Sequence, residues 1–418
     1  MIPLCAALLA VAVWFGPMEN AGIWQHGQIV DTPTYLRYAD LFANGQLPYR
    51  DVQVEYPPLA FAVILPPRIH GSDYDSFTSA FSALMGACLA VAAAATAGAA
   101  GALGRSRRVQ LAAGTFVALG PALVGSVSLT RFDLWPVALL ACALWAFSAR
   151  RDGTGGVLLG LAIAAKLWPA LALPMLLVVA ARRGTLRRAG IGVALGAGIP
   201  LAFALGLSPG GLWHALSLQA HRPLQVESLG ASALVSLGHL GFGGPYAVVT
   251  SSGSQNLTGG YVGAAGIVST VLSLVTVVAA LALGVRATLR ARDDRAAISE
   301  AARFSLCAVA AGIAFGHVLS PQFMLWLLPF PLLVTGRRAW LLAGLCALAA
   351  FLTLEEFPGR YWQYAAGLDG FVAALVLTRD VVLVAIVLAA AAPAPRVLRA
   401  SAARSRSRSL GPLPHRTR

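Results

Sequence analysis

The sequence predicts an all-α polytopic membrane protein with about twelve transmembrane segments and helical outer loops. Of its 418 residues, 58% are hydrophobic and only 11% are charged. Apolar runs of about 20 residues, the length needed to cross a bilayer, recur along the chain. Arginine clusters separate these runs. A soluble globular protein needs far more charged surface than this chain offers, so that class of protein is excluded.

Ten apolar runs are predicted as spanning segments. They lie at about 1–18, 74–103, 109–128, 133–149, 189–207, 259–287, 301–319, 323–336, 339–354 and 378–395. The first run has no charged start and no small-x-small cleavage site, so we interpret it as an uncleaved span rather than a signal peptide.

The arginine clusters predict how the chain is oriented in the membrane. They lie at 105–108, 150–151, 182–188, 286–295, 337–338 and from 396 onward. The positive-inside rule places such clusters in the cytoplasm. Segment 153–181 then leaves and returns as a short hairpin with K-L-W-P at its apex, and the only lysine, Lys166, lies near the outer surface. Counting the hairpin as two segments gives about twelve, with both termini cytoplasmic in a plasma-membrane protein.

The predicted organisation is one integral-membrane domain, 1–395, followed by a basic tail, 396–418. The tail is expected to be disordered and cytoplasmic. The long outer loops are about 19–73 and 208–258, and their short apolar stretches PLAFAVILPP and ESLGASALVSLGHL are predicted as helices in the membrane interface. The net charge of +14 is interpreted as an orientation and anionic-lipid signal, with no nucleic-acid partner.

The first outer loop concentrates carboxylates. Residues 31–59 contain Asp31, Asp40, Asp51 and Glu55. Asp31 precedes TPTYLRYADLF and also fits a helix N-cap. Glu55 fits equally a contact with Arg50 or with substrate, while Asp40 and Asp51 fit ion-paired or turn roles.

Several further ionisable residues are predicted at the outer ends of spans, where their cost near hydrocarbon makes them functional candidates. They are Arg131, Asp133, Lys166, His221, Arg222, Glu227, His317, Arg379 and Asp380. Structural alternatives remain: Arg131 and Asp133 are close enough in sequence to pair with each other, and His317 fits a buried, hydrogen-bonded histidine.

An acidic loop facing isolated cations is the pairing that glycosyl transfer from a lipid phosphate needs. A carboxylate takes the proton of the attacking hydroxyl. Cations stabilise the departing phosphate, which needs no general acid. We therefore predict that Lys166, Arg222 and Arg131 bind the donor phosphate. The residues predicted to contact substrate are Glu55, Tyr56, His221, Glu227 and His317.

An ordered set of motifs resembles glycosyltransferase family 87. The set comprises G-x-x-P-Y and E-Y-P-P-L in the first loop, then RFDLWP, GLAIAAKLWPALALP, HRPLQVES, SPQFMLWLLPF and TRDVVL. This family belongs to the GT-C class of membrane glycosyltransferases that use polyprenyl-phosphate sugars. The resemblance implies a GT-C-like bundle, a general base at Asp31, inversion at the anomeric carbon and no nucleotide. We predict separately that no divalent metal is used.

The expected partners are a lipid-linked sugar donor, a glycolipid or glycan acceptor, and the bilayer. The family includes mannosyltransferases and arabinofuranosyltransferases, and mannose is the predicted sugar. Two alternatives stay open: a transporter or flippase of lipid-linked sugars, and a non-catalytic scaffold of envelope assembly.

Overall fold

The computed structural model describes residues 1–19, 29–220, 222–251 and 253–393. Most of them are helical. The helices are α1 (Ile2–Val13), α2 (Thr32–Ala43), α3 (Phe61–Ile64), α4 (Tyr74–Ala102), α5 (Arg107–Val124), α6 (Val127–Thr130), α7 (Leu134–Ser148), α8 (Asp152–Ala165), α9 (Leu173–Arg182), α10 (Leu186–Leu207), α11 (Pro209–Ala220), α12 (Leu229–His239), α13 (Val262–Leu289), α14 (Asp294–Ala314), α15 (Arg337–Glu356), α16 (Tyr361–Gly367) and α17 (Gly370–Ala391). The predicted tail and His221 lie outside the described residues.

Six of the described helices are long and apolar enough to cross a membrane: α4, α10, α13, α14, α15 and α17. Shorter apolar helices complete the bundle, among them α1 with its π-helical extension Trp14–Met18, α7, α8 and α9. The prediction of an all-α polytopic membrane protein is therefore confirmed.

Helix α14 is the centre of the bundle, and α10 and α13 are at its periphery. Of the 18 most apolar consecutive residues of α14, 83% are buried. The corresponding share is 17% for each of α10 and α13. Large apolar side chains cover the exposed faces of the two peripheral helices, including Ile199, Phe203, Ile267 and Leu274. Such faces are suited to contact with lipid chains.

Helices α8 and α10 pack backbone to backbone through glycines. A Cβ atom added to Gly156 would lie 2.2 Å from the carbonyl oxygen of Ala189, and one added to Gly196 would lie 2.2 Å from that of Val157. Small residues spaced four apart allow this close approach between membrane helices. We call these contacts the glycine seam. They hold α8 in place, and Lys166 follows the last residue of α8.

The chain breaks its helix at K-L-W-P, as predicted. Helix α8 ends at Ala165, and Lys166 is extended, with φ −161° and ψ 143°. A 3₁₀ segment, Trp168–Ala172, then leads into α9. The change of direction leaves the lysine side chain at the end of the helix rather than along its face.

Two predicted spans differ from the structure. The expected span 323–336 is instead two short 3₁₀ segments, Pro321–Leu327 and Pro331–Leu333, because each proline removes a backbone donor and disfavours a continuous α-helix. The expected span 378–395 begins earlier, at Gly370, where the Asp369 side chain accepts from the Val372 amide. Arg379 and Asp380 consequently lie in the middle of α17, not at its end.

The second long loop contains a β-hairpin that the sequence analysis did not predict. Strands β1 (Tyr246–Ser251) and β2 (Ser254–Gly259) pair antiparallel. Backbone bonds from Val226 to Gln255 (3.0 Å) and from Leu257 to Leu224 (2.9 Å) attach segment 222–228 to β2. The hairpin therefore holds this segment in place.

Candidate active site

A cavity of about 820 Å³ lies where the ends of several helices meet the two loops. Eight of the nine predicted site residues line it, and the ninth, His221, is outside the described residues. The eight are Asp31, Glu55, Tyr56, Arg131, Lys166, Arg222, Glu227 and His317. The fold thus brings together residues that span almost 290 positions of sequence.

Asp31 is the residue before α2, but its side chain makes no capping hydrogen bond. Its carboxylate instead forms an ion pair with Arg131, and it lies 3.4 Å from the Tyr35 hydroxyl. The Asp31 side chain keeps 26% of its surface exposed. The carboxylate is therefore held by charge while remaining open to the cavity.

Arg131 and Asp133 do not pair with each other. The backbone is extended at Arg131 and enters α7 after Asp133, so their side chains take different partners. Burial lowers the pKa of Arg131 to about 10, against the opposing effect of Asp133 and Glu227. The guanidinium therefore stays charged at neutral pH.

Lys166 is bound by Asp133. The distance from its Nζ to Asp133 Oδ1 is 2.7 Å, and Trp326 Nε1 donates to the same oxygen at 2.6 Å. The ammonium lies 4.8 Å from the centre of the Phe132 ring and 5.3 Å from that of Trp326. A carboxylate with 1% exposure and two aromatic rings therefore orient this cation.

Arg222 and His317 form another polar part of the wall. Burial lowers the pKa of Arg222, while the nearby Glu55 and Tyr56 raise it. His317 Nδ1 is 3.1 Å from the Arg222 carbonyl oxygen, and its Nε2 is 2.8 Å from that of Gly266. The Thr270 hydroxyl is also 2.8 Å from Nε2, so partners on both sides of the imidazole ring hold it in place.

Glu227 connects the cavity to a buried charge network. It is 1% exposed, and Gln225 Nε2 donates to its Oε2 at 2.7 Å. Burial, followed by the nearby Glu356, raises the pKa of Glu227 well above its ordinary value. Arg379 Nη1 is 3.7 Å from both Glu227 Oε1 and Glu356 Oε2.

Arg379 and Asp380 are completely buried, which corrects the expectation that they lie at the outer end of a span. The Arg379 Nε donates to Asp380 at 3.0 Å, and the Ser232 hydroxyl donates to Asp380 at 2.7 Å. Arg379 Nη2 also donates to the Glu227 carbonyl oxygen at 2.7 Å. Their role in the described structure is to hold the segment that carries Glu227.

The other acids of the first loop have partners away from the cavity. Asp40 accepts from Arg68 at 2.6 Å. Asp51 accepts from the Leu47 amide and from Arg50, both at 2.9 Å. Glu55 therefore does not share Arg50, and its exposed side chain lines the cavity.

Several lining residues were not predicted from the sequence, among them Gln225, Thr270, Gln322, Trp326 and Tyr361. Gln322 stands inside the S-P-Q motif, which marked the position without indicating a role. Tyr361 follows a span and carries no local signal. Asn256, in an N-L-T pattern, is 0% exposed and donates to the Ser251 carbonyl oxygen at 2.8 Å, so it is inaccessible for modification in the folded chain.

Part of the cavity lining is apolar, and we call this part the apolar wall. It is formed by Leu167, Leu212, Ala215, Leu274 and Val277. Among the described residues, no group of three or more His, Cys, Asp or Glu side chains has an arrangement that could hold a metal ion.

The fold and the cavity define an integral-membrane protein with a charged site at the ends of its helices. A sequence model of glycosyltransferase family 87 matches residues 55–321, which is more than half of the chain. The protein therefore belongs to glycosyltransferase family 87. The match includes every cavity-lining residue predicted from the sequence except Asp31. A comparison with curated proteins gives no match.

Proposed function

We propose that the protein is an inverting glycosyltransferase that moves mannose from a polyprenyl-phosphate donor to a hydroxyl of a cell-envelope glycolipid or glycan. The reaction takes place at the outer face of the plasma membrane. One observation carries the proposal: the carboxylate of Asp31 and the cations Arg131, Lys166 and Arg222 line a single cavity that also has an apolar wall.

The proposed reaction is a displacement at the anomeric carbon. The acceptor hydroxyl oxygen forms the new bond to that carbon, and the bond to the phosphate oxygen breaks on the opposite face. The phosphate leaves with the bonding electrons, and Asp31 takes the hydroxyl proton.

The leaving phosphate gains negative charge, which the cavity cations stabilise. Lys166 and Arg222 hold the phosphate with help from Arg131. Since these side chains supply the positive charge, we propose that no divalent ion takes part, and transfer is expected to persist in EDTA.

The apolar wall supports a lipid-linked donor. The first isoprene units next to the phosphate would pack against Leu212, Leu274 and Val277, which removes apolar surface from water. A soluble nucleotide sugar has no part that uses such a wall.

The test is transfer by purified protein from polyprenyl-phosphate-mannose, or the arabinofuranose equivalent, to a membrane acceptor extract. Asp31→Asn is expected to reduce the rate at least 100-fold because the base is lost. Asp40→Asn is the matched control, since Asp40 pairs with Arg68 and does not line the cavity.

Equal release of polyprenyl phosphate by wild type and Asp31→Asn would overturn the assignment of the base. If the wild type releases none from either donor but moves the intact lipid between leaflets of a vesicle, the protein is a flippase instead.

A further inference from the structure

Some of the buried polar atoms that lack a hydrogen-bond partner belong to side chains of the cavity lining. Among the described residues, five such atoms belong to side chains that line it: Arg131 Nε, Trp168 Nε1, Arg222 Nε, Glu227 Oε1 and Gln322 Oε1. A buried polar group without a partner has lost its hydrogen bonds to water and gained none in the protein, which is unfavourable. Glu227 Oε1 still faces the Arg379 guanidinium at 3.7 Å, whereas Trp168 Nε1 and Gln322 Oε1 have no hydrogen-bond partner, which is unusual for buried polar atoms and indicates a missing one.

Two of the five belong to the same wall. The Trp168 ring stacks on Trp326 at a centroid distance of 5.2 Å and an interplanar angle of 7°. Phe323, the residue after Gln322, stacks on the same Trp326 ring at 4.0 Å and 28°. Trp168 and Gln322 are therefore linked through one aromatic stack, and each is only 7% exposed.

This wall adjoins the lysine. Trp326 donates to Asp133, and Asp133 binds Lys166. The Lys166 ammonium is 5.9 Å from the Phe323 ring centre. If a ligand binds with its phosphate at Lys166, the group attached to that phosphate therefore lies beside this wall.

The wall combines one unpartnered donor, the Trp168 indole N–H, with one unpartnered acceptor, the Gln322 amide oxygen. A sugar hydroxyl can both accept and donate, and aromatic rings offer a flat surface for the C–H groups of a sugar ring. A hydrocarbon chain could use the rings but would leave both polar atoms unpaired.

We propose that Trp168 and Gln322 form the subsite for the sugar ring of the donor, next to the phosphate held by Lys166. This inference rests on the proposed function and specifies which part of the donor each wall recognises. In this arrangement the sugar hydroxyls are the hydrogen-bond partners of the indole N–H and the amide oxygen.

The test compares two ligands that differ only in the sugar: polyprenyl phosphate and polyprenyl-phosphate-mannose. Their affinities are measured by calorimetry for wild type, Trp168→Phe and Gln322→Met. Trp168→Phe removes the N–H and keeps an aromatic ring, and Gln322→Met removes the amide at similar length. Trp340→Phe is the control, because Trp340 is 54% exposed and does not line the cavity.

Each subsite variant is expected to bind polyprenyl-phosphate-mannose about tenfold more weakly, while its affinity for polyprenyl phosphate stays within twofold of wild type. Lys166→Ala should weaken both ligands. Equal weakening of both ligands by Trp168→Phe and Gln322→Met, or no weakening, would show that these residues do not recognise the sugar.

The subsite and the proposed function fail in different ways. If wild type transfers mannose and Asp31→Asn does not, but both subsite variants bind the mannose ligand normally, only the subsite is wrong. If wild type transfers no sugar, the proposed function is wrong. Should Trp168→Phe lower thermal stability, Gln322→Met still gives an independent answer because it leaves the aromatic stack intact.

Discussion

Lys166 donates a 2.7 Å hydrogen bond to Asp133, so the only lysine of the chain neutralises a carboxylate that is almost completely buried. The lysine side chain itself is 21% exposed toward the cavity. This ammonium therefore stabilises the fold beneath it, and in the proposed reaction it also attracts the donor phosphate in the cavity.

These two tasks can be separated by mutation. Lys166→Ala is expected to lower the free energy of unfolding by about 3 kcal/mol, because Asp133 loses its counter-charge, and to weaken donor binding. In the double variant Lys166→Ala/Asp133→Asn most of the stability should return, whereas the donor affinity should not. Thermal unfolding and donor KM measure the two effects, and a parallel recovery of both would contradict a phosphate-binding role.

The pH dependence of stability should reveal Glu227. Burial raises its pKa well above the ordinary value of 4.5, and Glu356 raises it further. An acid with a raised pKa in the folded state stabilises the fold fully below its unfolded pKa, and that contribution is lost as the pH rises through the folded pKa. Wild type should therefore lose stability as the pH rises above 4.5, because Glu227 releases its proton in the unfolded chain while the folded chain still holds it.

Glu227→Gln keeps an uncharged side chain at every pH, so its unfolding midpoint should fall less than that of wild type between pH 5 and 9. The exposed Asp75 provides the control variant Asp75→Asn, which should follow wild type. Parallel curves for wild type and Glu227→Gln would indicate that the proton on Glu227 does not contribute to stability.

Arg379 is predicted to be the most sensitive cation in the bundle. Arg379→Gln leaves Glu227, Glu356 and Asp380 without their shared counter-charge, so the free energy of unfolding should fall by about 3–5 kcal/mol. Arg360→Gln is the matched control: Arg360 and its partner Glu355 are each 40% exposed, and its loss should cost less than about 1 kcal/mol. If the two variants lose similar amounts of unfolding free energy, the buried acids do not depend on Arg379 for their stability.

The glycine seam offers a test of packing that does not touch the site. Gly196→Ala places a methyl group against the Val157 carbonyl oxygen, and we expect a loss of about 1–3 kcal/mol from overpacking. Gly198→Ala, two residues along the same helix, meets open space and should be neutral or slightly stabilising because alanine favours a helix. Equal thermal midpoints for Gly196→Ala and Gly198→Ala would mean that α8 and α10 can move apart at little cost in free energy.

Sequence patterns were sufficient for features that depend on local composition. Apolar runs predicted most of the long helices, and K-L-W-P predicted the break that presents Lys166. Pairing over long distances was not predictable. Arg131 and Asp133 are two positions apart, yet the turn into α7 points their side chains to different partners. Arg131 pairs with Asp31, and Asp133 pairs with Lys166.

Other features could not be predicted because the residues near them in sequence do not indicate the structure they form. The role of Arg379 was missed because its partner Glu356 terminates a different span, α15. The hairpin β1–β2 lies in a loop whose polar composition resembles an irregular connection. Segment 321–333 is as apolar as a membrane helix, and only its prolines distinguish it from one.

The peripheral position of α13 has a practical consequence. Leu274 and Val277 contribute to the cavity wall, and Leu274 is also exposed on the outside of the helix, as are Ile267, Val271 and Val278. In a cell their neighbours are lipid tails, and after extraction they are detergent molecules. The surrounding amphiphile is thus expected to border the cavity. Kinetic constants obtained in nanodiscs of native lipid should be compared with those in micelles before either set is assigned to the polypeptide alone.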